Sequence, residues 1–96
     1  MRESAGPDEK DKSMTPIQCR MARAATRLGV RDLARVAELG VDTVHRFERG
    51  DDRLRPETIA KMRAALEARG AEFIEAEDGA EGVVFRPPAT DADPGP

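Results

Sequence analysis

Two short helical patterns stand almost end to end in the middle of this 96-residue chain. The first lies in VRDLARVAEL, residues 30–39, and the second in VDTVHRFER, residues 41–49, with Gly40 between them. Each is too short to hold its shape alone in water, so each must bury one face against neighbours. In the second, Val41, Val44 and Phe47 recur at helical spacing, and Gly50 ends the run. Helices over 30–38 and 41–48, joined by a turn of very few residues, make a helix-turn-helix. The second also carries the lone histidine of the chain, His45, together with Asp42 and Glu48. These three are either parts of a catalytic centre or the surface of a helix that touches something else.

The flanking sequence supplies what the pair packs against. TPIQ at 15–18 reads as a capping box, with Thr15 as N-cap, Pro16 at the first helical position and Gln18 closing the box. A helix to about Ala25 follows, and the chain turns before Gly29. RPETIAKMRAALEARG has Pro56 at its start and Glu57 in the first turn, with Ile59, Met62 and Leu66 on one face. Arg69 lies in its last turn and Gly70 is its C-cap. Beyond it, EFIEA and GVVFR flank EDGAEG, two β-prone runs around an Asp-Gly signal, which predicts a hairpin. The fold class is therefore mainly α, a small four-helix helix-turn-helix domain over 15–70 with a C-terminal β-hairpin over 71–86. Residues 1–14 and 87–96 read as disordered tails by composition, and Met14 is an alternative start to Met1.

Composition narrows the function. One histidine and one cysteine cannot build a usual zinc site. There is no phosphate-cradling glycine loop and no serine or cysteine triad candidate, so neither an enzyme nor a cofactor is expected. No run of 18 apolar residues exists to span a membrane, and MRESAGPDEKDKS lacks the apolar stretch of a secretory signal. Cys19 alone can form no internal disulfide, which suits a reducing compartment. It reads as a small core residue rather than a redox switch. The net charge of -3 argues against indiscriminate coating of nucleic acid, but the charge is unevenly spread. Residues 20–55 hold nine arginines against six acids, a balance of +3, and residues 76–96 hold five acids against Arg86, a balance of -4.

The run LARVAELGVDTVHRFERG, residues 33–50, resembles the helix-turn-helix of the XRE family, the phage repressor- and Cro-like regulators. The family pattern is Leu-Ala-x-x-Ala-Gly-Val-Ser-x-x-Thr-Ile-x-x-x-Glu-x-Gly. The chain matches it without a gap at Leu33, Ala34, Ala37, Thr43, Val44, Glu48 and Gly50. It departs at Glu38, where the family usually has the turn glycine, and at Gly40, where it usually has a Ser or Thr N-cap. Val30 also stands where the family often has glutamine. The resemblance covers roughly residues 15–70 and leaves out the tails and the hairpin.

The resemblance implies that Glu48 pairs with Arg23 on the first helix, an orienting ion pair rather than a catalytic acid. It implies that Val41, Asp42, His45 and Arg46 face the major groove of double-stranded DNA. Their chemistry suits base edges: Arg46 can fork onto guanine O6 and N7, Asp42 can accept from cytosine N4, and Val41 can touch a thymine methyl. His45 is either a base contact or a solvated surface histidine. Asp42 is either a base contact or a complement to the helix dipole. Phosphate contacts are expected from Arg49, Arg53 and Arg55 at the helix exit and from Arg31 at the start of the preceding helix. Backbone N–H groups at the helix start, beside Gly40, suit the same role.

The first helix offers two competing faces. Periodicity alone selects Ile17, Met21 and Ala24 as the buried stripe, with Ala25 beside it. The family register instead turns Cys19, Ala22, Arg23 and Thr26 inward and leaves Ile17 and Met21 as a surface for contact. A single reading helix covers few base pairs, so a homodimer on a pseudo-palindrome is expected. Its contact is either the Ile17 and Met21 stripe or the hairpin, with Phe73, Ile74, Val83, Val84 and Phe85. A lone hairpin either packs back on the long helix or pairs with its copy, and pairing is favoured. The expected function is a dimeric, sequence-specific transcriptional regulator, cytoplasmic and nucleoid-associated. The alternative is an antitoxin-like or adaptor protein working through protein contacts. The acidic total charge, Val30 and Asp42 point that way, and a toxin or RNA polymerase is the candidate protein partner.

Overall fold

The computed structural model describes residues 14–88. Four helices and a hairpin follow in order: α1 Pro16–Thr26, α2 Val30–Ala37, α3 Val41–Glu48, α4 Pro56–Ala68, β1 Ala71–Glu75 and β2 Glu81–Phe85. This is the mainly α class, with a terminal hairpin, that the sequence predicts. The tails expected over 1–14 and 87–96 lie outside the described residues except at their inner ends. There Met14 is 5% exposed and belongs to the core.

Local chemistry sets the helix limits. At the start of α1 the Thr15 hydroxyl accepts from the Gln18 N–H at 3.1 Å, and the Gln18 side-chain Oε1 accepts from the Thr15 N–H at 3.1 Å. α2 ends with Glu38 in the left-handed region, at φ 62°. There the Leu39 N–H donates to Ala34 O at 2.8 Å and the Glu38 N–H to Arg35 O at 3.1 Å. The two bonds reverse the chain and close the last turn, and a side chain tolerates this conformation less well than glycine does. α3 starts at Gly40 without a side-chain cap. It ends with the same bond pair at Gly50, φ 96°, where Gly50 N–H meets Phe47 O at 2.9 Å and Asp51 N–H meets Arg46 O at 3.0 Å.

The core gathers from all elements. Cys19, Leu33, Val44, Met62 and Leu66 are fully buried, and Phe47 is 4% exposed. Each large apolar side chain withdrawn from water contributes roughly 1.5–3 kcal/mol. α2 lies against α3 and α4, and α1 lies against α3, α4 and both strands.

α1 takes the register implied by the family resemblance. Cys19 and Ala22 are buried and Arg23 and Thr26 half-buried, whereas Ile17 is 57% and Met21 36% exposed. The stripe chosen by periodicity, Ile17, Met21 and Ala24, is the exposed one. Counting apolar residues fails here because two polar side chains go inward: Gln18 and Arg23 both find hydrogen-bond partners, and a satisfied polar group can be buried at little cost.

The hairpin pairs antiparallel, with Phe73 opposite Val83 and Ile74 opposite Gly82, each strand beginning one residue before the predicted run. It packs within the chain, and its main support is α1 rather than the long helix. The Gln18 side-chain amide donates to Ile74 O at 2.9 Å and to Gly82 O at 3.2 Å, and the Thr15 hydroxyl donates to Glu81 Oε1 at 2.8 Å. From α4, the Arg63 guanidinium lies 4.9 Å from the centre of the Phe73 ring. Gly70 links α4 to β1 at φ 110°, and a Cβ there would stand 2.4 Å from Arg86 O, so the junction requires glycine.

Candidate nucleic-acid interface

α3 is one-sided. Val44, Phe47 and Glu48 are buried, Val41 and Thr43 half-buried, and Asp42, His45, Arg46 and Arg49 exposed. Eight residues at helical rise make an exposed edge of about 12 Å. Val41 divides its surface, since part of it packs against the core.

The predicted ion pair is present. Arg23 Nε donates to Glu48 Oε2 at 2.7 Å and a terminal nitrogen donates to Oε1 at 2.9 Å, a bidentate fork. The Cys19 thiol donates to Glu48 Oε2 at 3.2 Å. Arg20 adds a bond to Glu48 O at 2.8 Å, a cation on the last carbonyls of α3. Burial alone would raise the Glu48 carboxyl. The Arg23 fork, the thiol and the positive charges outweigh it and hold the carboxyl below the ordinary glutamate range. Burial, and then the neighbouring carboxylate, push the Cys19 thiol far upward, so it stays protonated. Glu48 is thus taken up in orienting α1 against α3.

The predicted contact residues differ in how they are engaged. Arg31, Asp42, His45 and Arg49 are exposed and make no ion pair or side-chain hydrogen bond among the described residues. Arg46 and Arg53 are engaged by one acid, Asp51. Arg46 Nε reaches Asp51 Oδ2 at 3.3 Å, and Arg53 meets Oδ1 at 3.0 Å through Nε and Oδ2 at 3.2 Å through a terminal nitrogen. The Arg53 N–H also donates to Asp51 Oδ1 at 3.0 Å. The side chain and backbone bonds from Arg53, with the Arg46 bond added, hold the Asp51 carboxyl well below the usual carboxylate range. Arg55 lies 3.8 Å from Glu57, both well exposed, a pairing of little weight. Gly40 is exposed, beside the free N–H groups that open α3.

Asp51, Arg20 and Gln18 have structural parts that sequence reading did not give them. A signal existed for Asp51: an acid just after the Gly50 stop and two residues before an arginine favours an Asp turn. Of the surface offered for self-association, Ile74 is 50% and Phe85 43% exposed, alongside Ile17 and Met21. Phe73 and Val83 instead pack against the core: alternate strand residues face opposite ways, and these two face each other on the side away from Ile74, with Phe85 exposed on that same side at the end of β2. Val84 is half-buried.

Among the described residues no helix is long and apolar enough to cross a membrane, and no three His, Cys, Asp or Glu side chains gather as metal ligands would. A sequence family described as a helix-turn-helix domain matches residues 18–75, more than half of the chain. No curated protein matches it.

Proposed function

Because the chain belongs to this helix-turn-helix domain family, we propose that it is a sequence-specific regulator of transcription of the XRE type. In this reading the domain is residues 15–70, and α3 enters the major groove of double-stranded DNA. The observation that carries the reading is the exposed edge of α3. Asp42, His45, Arg46 and Arg49 face solvent opposite a buried face, and a helix about 10–12 Å across with its side chains fits a groove about 12 Å wide. Arg46 is the guanine reader, with Asp42, His45 and the exposed part of Val41 as further base contacts. Arg31, Arg49, Arg53, Arg55 and the backbone at Gly40 hold phosphates. No catalytic step or cofactor enters, and the site of action is the nucleoid of the cytoplasm.

The test is selection from a randomised duplex pool, followed by titration of the selected site. Arg46→Ala is expected to lose about 1–3 kcal/mol of preference at one base pair and little elsewhere. Equal losses on selected and random duplex would make Arg46 a phosphate contact. No enrichment at all would favour the antitoxin-like or adaptor reading, which has the exposed Ile17, Met21, Ile74 and Phe85 on its side.

We also propose a homodimer on two half-sites with centres about 34–36 Å apart. The same four exposed apolar residues supply the contact, Ile17 and Met21 through α1 or Ile74 and Phe85 through the hairpin. In sedimentation the chain should run as a dimer and Met21→Lys as a monomer if α1 is the contact. A monomeric chain that protects a single half-site would remove the dimer.

A further inference from the structure

We propose that Asp51 is a positioning residue for base recognition: it grips Arg46 by the Nε edge and presents the guanidinium fork to a guanine. The inference rests on the DNA reading above and assigns a specificity role to a residue that does not itself touch a base. Three observations carry it. The backbone of Asp51 is tied to the residue it orients, since its N–H donates to the carbonyl of Arg46 at 3.0 Å in the cap that ends α3. Its carboxylate takes Arg46 Nε at 3.3 Å, while the two terminal nitrogens of Arg46 carry no bond among the described residues. Those terminal nitrogens form one edge of the guanidinium, the edge that a guanine O6 and N7 pair requires. Finally, Asp51 is itself fixed. Its side chain is 12% exposed, and Arg53 clamps both oxygens.

A free arginine side chain must give up rotamer freedom when it docks, which weakens both affinity and discrimination. A guanidinium already held on one edge loses less. The second arginine on Asp51 offsets the carboxylate charge, so the acid can stand near a polyanion. The clamp links the base reader Arg46 to the phosphate contact Arg53 through one carboxylate. A shift of the Arg53 phosphate contact therefore moves the support of the reading residue.

The experiment compares wild type, Asp51→Asn, Asp51→Glu and Arg46→Ala on the duplex selected by the wild-type chain. The comparison duplexes are the same site with the guanine pair read by Arg46 replaced, and a random duplex. Asparagine keeps an acceptor for the Arg53 N–H, and glutamate keeps the charge but displaces it by one methylene. Far-ultraviolet circular dichroism checks that each variant is folded. Both Asp51 variants are expected to lose roughly three- to tenfold of the preference for guanine, the weight of one hydrogen bond. Only Asp51→Asn should bind random duplex more tightly, having shed a negative charge. In an Arg46→Ala background neither change should alter the preference. An unchanged preference in Asp51→Asn and Asp51→Glu, beside a lost preference in Arg46→Ala, would overturn the positioning role and leave the DNA reading intact. A wild-type chain that prefers no duplex over random DNA would overturn both.

Discussion

The Arg23 and Glu48 pair is unequal, and the inequality decides what mutation does. The Glu48 side chain is 7% exposed, whereas that of Arg23 is 22% exposed and retains water. Arg23→Met leaves a buried carboxylate with only the Cys19 thiol and the outlying Arg20, and should cost about 3–5 kcal/mol. Glu48→Gln leaves a cation that can still hydrate, and should cost less, on the order of 2 kcal/mol. Urea midpoints in the reverse order, or a double variant equal to the sum of the singles, would dissolve the pair. Its pH dependence has a definite sign. The folded carboxyl titrates below the unfolded one, so its contribution is complete above about pH 4.3 and is lost as pH falls through the folded value. Acid unfolding should therefore be shallower in Glu48→Gln than in the wild type. Glu38 is the other informative residue. It holds φ 62° where the XRE pattern usually has glycine. Glu38→Gly should raise stability by roughly 0.5–1 kcal/mol, strain relieved less unfolded-state entropy gained. A lowered urea midpoint would show that the left-handed cap carries no strain.

Among the elements, α1 and the hairpin act together through Gln18. Its amide is 5% exposed and spans two carbonyls of facing strands. Gln18→Met should cost about 1–2 kcal/mol. Amide exchange should quicken in 71–85 more than in α2 and α3, because the hairpin loses its anchor before the helices lose theirs. Uniform quickening would mean that hairpin and helices open as one unit. The same element shows what could and could not be read beforehand. Caps, proline and glycine stops are local chemistry, so α1, α3 and α4 begin and end close to where the sequence puts them. The buried face of α1 is a tertiary matter. It depends on Glu48 from α3 and on carbonyls of a hairpin more than 50 residues away, and no helical period records either. The hairpin was legible as a hairpin, yet its seat on α1 was not, since Gln18 reads locally as a capping residue and nothing more. On α3 the exposed edge followed from spacing, whereas the Asp51 clamp needed the turn after Gly50 in three dimensions.

At the scale of the whole molecule, the acidic total charge and the basic centre stop being contradictory. The acids of the hairpin and the arginines around α3 belong to different elements of the fold, and the arginine-rich part is the one that frames the exposed edge. The central claim is that this edge is the surface that meets double-stranded DNA. Its most direct test is amide shift mapping by NMR, with the selected duplex added at physiological salt. The expected perturbations run over 41–49, with Arg31, Arg53 and Arg55 beside them, and fade when a random duplex replaces the selected one. Perturbations centred on Ile17 and Met21 or on the hairpin, with α3 unmoved, would contradict the claim.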